Sequence, residues 1–177
     1  MKLCFIAICL TYMSLLSAAE TKIIIVRHAE KELGQDPVLT SAGRERASAL
    51  GRLLSGQFNV SGIYTSNYIR TIQTATPLAA ELNLEMNSSI SAFKYQELID
   101  DIILHHSGET VLLVGHTTTI VGLINHVFKR QVIAQISEED FANLFILRLD
   151  STTPIDLEKY RQQFSENRQN LTLLPFE

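Results

Sequence analysis

Four basic side chains of this 177-residue sequence follow short apolar runs: Arg27, His28, Arg70 and His116. If the runs are neighbouring parallel strands, their carboxyl ends meet at one edge of a sheet, and these side chains converge there. Such a cluster would repel itself unless an anion bound among its members. A phosphoryl group has a suitable charge and the oxygens for bidentate guanidinium contacts. The pattern therefore predicts a phosphoryl-binding site.

The sequence also indicates which chemistry such a site would use. It has no Gly-x-x-x-x-Gly-Lys-Ser/Thr loop for nucleotide phosphates and no His-rich or carboxylate-rich spacing typical of a metal site. We therefore expect no cofactor, and a histidine that attacks phosphorus to form a covalent intermediate, which divides one difficult step into two easier ones. Arg27, Arg70 and a cationic His116 would stabilise the negative charge on the phosphoryl oxygens.

The apolar runs that must position these groups predict a layered α/β fold. Residues 23–26 and 110–114 are apolar and too short for ordinary helices, as expected for strands buried on both faces of a parallel sheet. Segments with a helical spacing of apolar residues alternate with the predicted strands. The predicted fold is a three-layer α/β/α sandwich with a mostly parallel central sheet.

Local signals set further expectations along the chain. Pro77 falls inside a helical pattern and should kink or restart that helix. A third short strand is expected at residues 84–86 and a last strand near residues 144–147. The polar tail from Ser151 onward predicts either a surface helix near residues 157–164 or little order.

The N-terminal segment has the pattern of a secretory signal peptide. Lys2 supplies a positive start, residues 3–16 form an apolar run, and residues 17–19 are small. An uncleaved membrane anchor is the alternative, but the run is shorter than the ~20 residues that a spanning helix needs. Both cysteines lie in this segment. We therefore expect no disulfide in the exported chain.

These observations predict the organisation and partners of the chain. Residues 1–19 would be the signal peptide and residues 20–177 one domain, with a core at 22–149 and a polar tail at 151–177. After cleavage the protein would be periplasmic or secreted, without a stable membrane anchor. The formal net charge of -4 argues against a nucleic-acid binder that depends on a broad basic face. The expected partner is a small phosphorylated substrate.

Several spaced motifs resemble those of the histidine phosphatase superfamily, also called phosphoglycerate mutase-like. The matching residues are Arg27-His28-Ala29-Glu30, Leu39-Thr40, Gly43, Tyr64-Thr65-Ser66, residues 70–75, Val114-Gly115-His116 and residues 143–145. The resemblance covers residues 22–149 and implies a sandwich fold of the same kind. It also implies that His28 is the phosphorylated nucleophile and that Arg27, Arg70 and His116 form the phosphate pocket.

The general acid is not assigned by this resemblance. His116 is followed by Thr117, where phytase-like members have an aspartate that donates a proton. Glu97 lies 27 residues after Arg70, which resembles the spacing of the glutamate in the mutase branch. Glu97 is therefore one candidate acid, and Glu30 and Asp36 on the loop after His28 are two others. A good leaving group would need no acid.

One further site residue is expected at the start of a helix. Thr117 begins the segment after His116, and backbone N–H groups at a helix start can bind phosphate. Simple capping of the helix is an equal alternative.

The leading hypothesis is an exported, metal-independent phosphatase that uses a phosphohistidine at His28. Two alternatives are a phosphoglycerate-type mutase and a phosphate- or phosphosugar-binding module without turnover. Export away from glycolytic substrates argues against the mutase, and the missing general acid is the support for the binding module. The sequence leaves the substrate open.

Overall fold

The computed structural model describes residues 20–89, 91, 93–165 and 170–176. Within these residues the helices are α1 (Ser41–Gln57), α2 (Ile69–Leu82), α3 (Tyr95–His106) and α4 (Thr117–Phe128). The strands are β1 (Glu20–Arg27), β2 (Val60–Thr65), β3 (Met86–Asn87), β4 (Thr110–Gly115), β5 (Asn143–Asp150), β6 (Thr153–Phe164) and β7 (Leu171–Pro175).

The strands form one sheet in the order β3-β2-β4-β1-β5-β6-β7. Strands β3, β2, β4 and β1 run parallel to one another. Strands β5, β6 and β7 extend the sheet beyond β1, and each is antiparallel to the strand before it. The carboxyl ends of β1, β2 and β4 therefore meet at one edge. This arrangement confirms the predicted α/β fold with a central sheet.

Strand β1 separates two hydrophobic cores because its side chains alternate between the faces of the sheet. Ile23 and Ile25 pack with residues of α3 and α4 on one face. Ile24 and Val26 pack with residues of α1 and α2 on the other. All these β1 side chains are fully buried, as predicted from an uninterrupted apolar run.

Helix α2 contains Pro77, where the sequence predicted a kink or a restart. The helix does not restart there but continues from Ile69 to Leu82. A Cβ atom added at Gly51 of α1 would lie 3.1 Å from the Pro77 Cβ, so the two helices approach closely at this point. The packing of α2 against α1 therefore outweighs the low helix propensity of Pro77.

Both alternatives predicted for residues 157–164, a surface helix or little order, are wrong. That segment belongs to β6, which pairs antiparallel with β5 and with β7. The polar side chains pair across strands, since Arg148 donates to Glu158 over 2.6 Å and to Glu20 over 2.7 Å. The strand near residues 144–147 is therefore not the last, and the tail continues the sheet.

The predicted signal peptide, with Cys4 and Cys9, lies outside the described residues. In the part of the chain that the structure describes, no helix has the length and apolar character needed to span a membrane.

The short strand β3 begins at Met86, two residues later than its predicted start at residue 84.

Candidate active site

A cavity of about 300 Å³ lies where β1, β2 and β4 end at the edge of the sheet. Five residues singled out in the sequence line it: Arg27, His28, Arg70, His116 and Thr117. The sheet register explains their meeting, because Arg27 on β1 pairs with Gly115 on the adjacent strand β4. The His28 N–H donates to the Gly115 carbonyl over 3.0 Å. The two imidazole centroids are consequently 5.3 Å apart.

His28 has the protonation state that a nucleophile needs. Its side chain is buried, with 3% of the residue exposed. The Nδ1 atom lies 2.8 Å from the Ala29 carbonyl oxygen, an acceptor that assigns the proton to Nδ1 and the lone pair to Nε2. Burial lowers the pKa of His28 to about 3. The hydrogen bond to Ala29 opposes this shift by raising the pKa, and the charge of Arg27 adds to it by lowering the pKa. The ring is therefore neutral at neutral pH.

His116 is held between a hydroxyl group and a guanidinium group. Its Nε2 lies 2.9 Å from Ser66 Oγ, and its Nδ1 lies 3.5 Å from Arg70 Nη2. Burial, followed by the charges of Arg70 and Arg27, lowers the pKa of His116 to about 4. The ring is therefore neutral at neutral pH, in contrast to the cationic His116 expected from the sequence. A neutral imidazole can still donate one N–H to an anion.

Arg27 is fixed by the segment between α4 and β5. Its Nη1 donates to the Glu138 carbonyl over 2.5 Å and more weakly to the Ser137 carbonyl over 3.3 Å. Its Nη2 donates to the Glu138 carboxylate over 2.7 Å. The guanidinium carbon lies 4.3 Å from the centroid of the Phe141 ring, a cation–π distance. Glu138 therefore lines the cavity as the ion-pair partner of Arg27.

Arg70 is positioned by the loop after β1. It is the second residue of α2, and its Nη1 lies 3.4 Å from Asp36 Oδ1. The same carboxylate accepts the Ile69 N–H over 3.1 Å and so caps the N-terminus of α2. The Arg70 guanidinium carbon also lies 4.2 Å from the centroid of the Tyr68 ring. Asp36 therefore fixes both the N-terminus of α2 and the Arg70 side chain.

Glu30, on the same loop, is held by Arg46. Its carboxylate accepts three hydrogen bonds from Arg46, at 3.1, 3.0 and 2.7 Å. The Arg46 guanidinium carbon in turn lies 4.9 Å from the centroid of the Phe164 ring on β6. A continuous set of contacts therefore runs from the antiparallel extension of the sheet to the residues that follow His28.

The structure places the three predicted acids outside the cavity lining. Glu97 is exposed near the start of α3, and its carboxylate binds Lys94 Nζ at 3.0 and 2.9 Å. Glu30 and Asp36 are engaged by the contacts described above. The carboxylate that does line the cavity is Glu138, which sequence reasoning missed. It follows no predicted strand and lies in no recognisable motif, so no local signal identified it.

The start of α4 completes the cavity. Thr117 is its first residue and is buried, and Thr118 and Thr119 also line the cavity. Thr119 Oγ1 accepts the His116 N–H over 2.9 Å, which fixes the backbone at the helix start. Among the described residues, no group of three or more His, Cys, Asp or Glu side chains is placed to hold a metal ion.

A family model connects part of this chain with known proteins. The model of the histidine phosphatase superfamily (branch 1) matches residues 23–90. This segment contains Arg27, His28 and Arg70 but ends before His116. No curated protein matches the sequence significantly.

Solved structures share the fold over most of this chain. YhfR from Bacillus stearothermophilus is 20% identical with a TM-score of 0.61, covering 76% of this chain and 94% of its own. The putative phosphohistidine phosphatase SixA from Agrobacterium tumefaciens is 18% identical with a TM-score of 0.59, covering 77% and 96%. A phosphoglycerate mutase from Bacillus anthracis is 15% identical with a TM-score of 0.63, covering 78% and 92%. The family match and the common fold together support the resemblance to the histidine phosphatase superfamily.

Proposed function

We propose that this chain is a metal-independent histidine phosphatase, which hydrolyses phosphomonoesters or related phosphoryl groups through a phosphohistidine at His28. The observation that carries the proposal is the pair of imidazoles 5.3 Å apart in one cavity with two arginines. The neutral ring of His28 presents a lone pair at Nε2 for attack on phosphorus. Arg27 and Arg70 would bind the phosphoryl oxygens and stabilise their charge in the transition state.

Unused donors in the two guanidinium groups support an anion site. The Nε atoms of Arg27 and Arg70 are buried and have no hydrogen-bond partner among the described residues. A buried donor without a partner costs about 1–3 kcal/mol. A phosphoryl group in the cavity would bring acceptors to these donors.

Hydrolysis is favoured over transfer between positions of one substrate. Helix α3 ends at His106 and β4 begins at Thr110, so this connection has no room for a large lid that would hold an intermediate away from water. The side chain of Arg27 is buried, but the Glu138 side chain beside it is 73% exposed. Water can therefore reach the site and release the phosphoryl group from His28.

An adjoining cavity of about 290 Å³ is suited to the leaving group. Its lining includes Tyr68, Phe93 and His116, which also line the first cavity, together with Ser66, Asn67, Ser88, Ser89 and Ser91. These residues offer hydroxyl and amide groups and two aromatic rings but no formally charged side chain. They favour a neutral leaving group that carries hydroxyl groups.

The proposal also includes export to the periplasm or the exterior. Its support is the signal pattern of residues 1–19. Mass spectrometry of the protein recovered from its native compartment tests this part. An N-terminus at Glu20 is expected, and a retained Met1 would contradict cleavage.

Rapid quenching with a phosphoryl-labelled ester tests the reaction. Label on the protein that is labile in acid and stable in base is expected, and His28→Ala should abolish it and lower kcat/KM by at least about 10³-fold. His105→Ala is the control, because His105 is exposed at the end of α3. Full activity of His28→Ala would refute the proposal. Phosphate binding without turnover would favour the binding module, and transfer without phosphate release would favour the mutase.

A further inference from the structure

We propose that Glu138 is the catalytic acid that protonates the leaving group, an inference that rests on the phosphatase function proposed above. Among the described residues, Glu138 supplies the one carboxylate in the lining of the cavity that holds His28 and His116. An alcohol leaves phosphorus poorly unless its oxygen is protonated. The site therefore requires a proton donor, and Glu138 is placed to serve.

The contact with Arg27 sets the distance between this carboxyl group and the reacting atoms. Nη2 of Arg27 donates to the Glu138 carboxylate over 2.7 Å. In the proposed reaction the same guanidinium group binds a phosphoryl oxygen. The carboxyl group and the phosphoryl group would thus be neighbours on one planar cation, which places Glu138 within reach of an ester oxygen.

The segment that carries Glu138 is anchored at its base. The side-chain amide of Asn125 donates to the Ile133 carbonyl over 2.8 Å and accepts the Val132 N–H over 2.7 Å. Ile133 and Ile136 are buried in the core. The backbone at Glu138 is therefore held in place by packing, while its side chain is 73% exposed and can exchange protons with solvent.

The two steps balance in atoms and electrons. In the first, the His28 Nε2 lone pair forms a bond to phosphorus while the phosphorus–oxygen ester bond breaks, and the Glu138 proton passes to the departing alcohol oxygen. In the second, the Glu138 carboxylate takes a proton from water, the water oxygen bonds to phosphorus, and the phosphorus–nitrogen bond breaks. Inorganic phosphate leaves, and His28 regains its lone pair.

The test compares two substrates with different leaving groups in the full-length protein. Glu138→Gln keeps the shape of the side chain and an oxygen that can accept from Arg27, but it cannot donate a carboxyl proton. We expect kcat/KM for glycerol phosphate to fall by about 10²-fold or more. The value for 4-nitrophenyl phosphate should fall at least about tenfold less than that, since nitrophenolate leaves without protonation. Glu139→Gln, at an exposed neighbouring position, is the matched control.

The two substrates also distinguish the alternative roles of Glu138. Equal losses on both substrates would overturn the proposal in favour of a positioning role through Arg27. Equal gains on both would overturn it in favour of a carboxylate that merely blocks the anion site.

The phosphoryl label on His28 distinguishes a failure of the acid assignment from a failure of the phosphatase proposal. If the label forms in Glu138→Gln but the leaving-group difference is absent, the acid assignment fails and the phosphatase proposal stands. If no label forms on the unaltered protein with either ester, the phosphatase proposal itself fails.

Discussion

Replacement of Gly43 by alanine should damage both the stability and the activity of the protein. Gly43 lies in the first turn of α1, where a Cβ atom would lie 2.0 Å from the Glu30 carbonyl oxygen. Non-bonded heavy atoms pack at separations of about 3.5 Å, so helix and loop must move apart by at least about 1 Å. The loop cannot yield freely, because the same carbonyl accepts the Thr40 N–H over 2.9 Å.

The expected magnitudes follow from this overlap. An overpacked contact of this kind lowers the free energy of unfolding by about 1–3 kcal/mol. Glu30 lies two residues after His28, so a shift of the loop also displaces the proposed nucleophile. A misplacement of about 1 Å at a reacting group lowers the rate about 10²-fold.

A second glycine of the same helix provides the control. Gly56 is exposed in the last turn of α1, and a Cβ atom there would meet nothing within 4 Å. Gly56→Ala should raise the free energy of unfolding by about 0.5–1 kcal/mol and leave the rate unchanged. Denaturant unfolding and kinetics with 4-nitrophenyl phosphate measure both effects. If Gly43→Ala matched the unaltered protein in stability and rate, the close contact between α1 and the nucleophile loop would be refuted.

Two further predictions concern titration and capping. Lowering the pH from about 6.5 to about 4 should reduce stability by up to about 1.4 kcal/mol per pH unit for each of His28 and His116. Their pKa values are about 3 and about 4 when folded, so the unfolded chain binds protons that the folded chain does not. His28→Asn should remove the His28 part of this slope in denaturant unfolding and leave the His116 part, whereas the same change at exposed His105 should not reduce the slope. Equal slopes for His28→Asn and the unaltered protein would contradict the assignment. Asp36→Ala should lower the free energy of unfolding by about 1 kcal/mol through loss of the cap on Ile69, while Asp36→Asn, which keeps an accepting oxygen, should restore most of it; identical losses in thermal melts would exclude capping.

The parallel part of the fold was predictable because its signals are local. All the side chains of an apolar run such as residues 23–26 can be buried only where both faces of the strand are covered. The side chains that follow each run then share one edge of the sheet as a matter of geometry. The convergence of His28 and His116, 5.3 Å apart, needed no knowledge of the loops.

The rest depended on tertiary partners that the sequence does not encode locally. Strand β6 is polar, and it forms a strand because its backbone hydrogen-bonds to the edge of β5. Glu138 enters the cavity because Asn125 and two buried isoleucines fix the path of an irregular segment. Glu97 was chosen by spacing, but the helix that carries it turns its carboxylate toward Lys94 and solvent.

The contacts from Phe164 through Arg46 to Glu30 give the tail of this chain an influence on the chemistry. The polar tail, for which a surface helix or little order was predicted, supports through Arg46 the turn next to the proposed nucleophile. Sequence changes at Phe164 in β6 would therefore alter the rate of the proposed reaction. Selection on that rate would extend to β6, a strand that contains none of the motif residues.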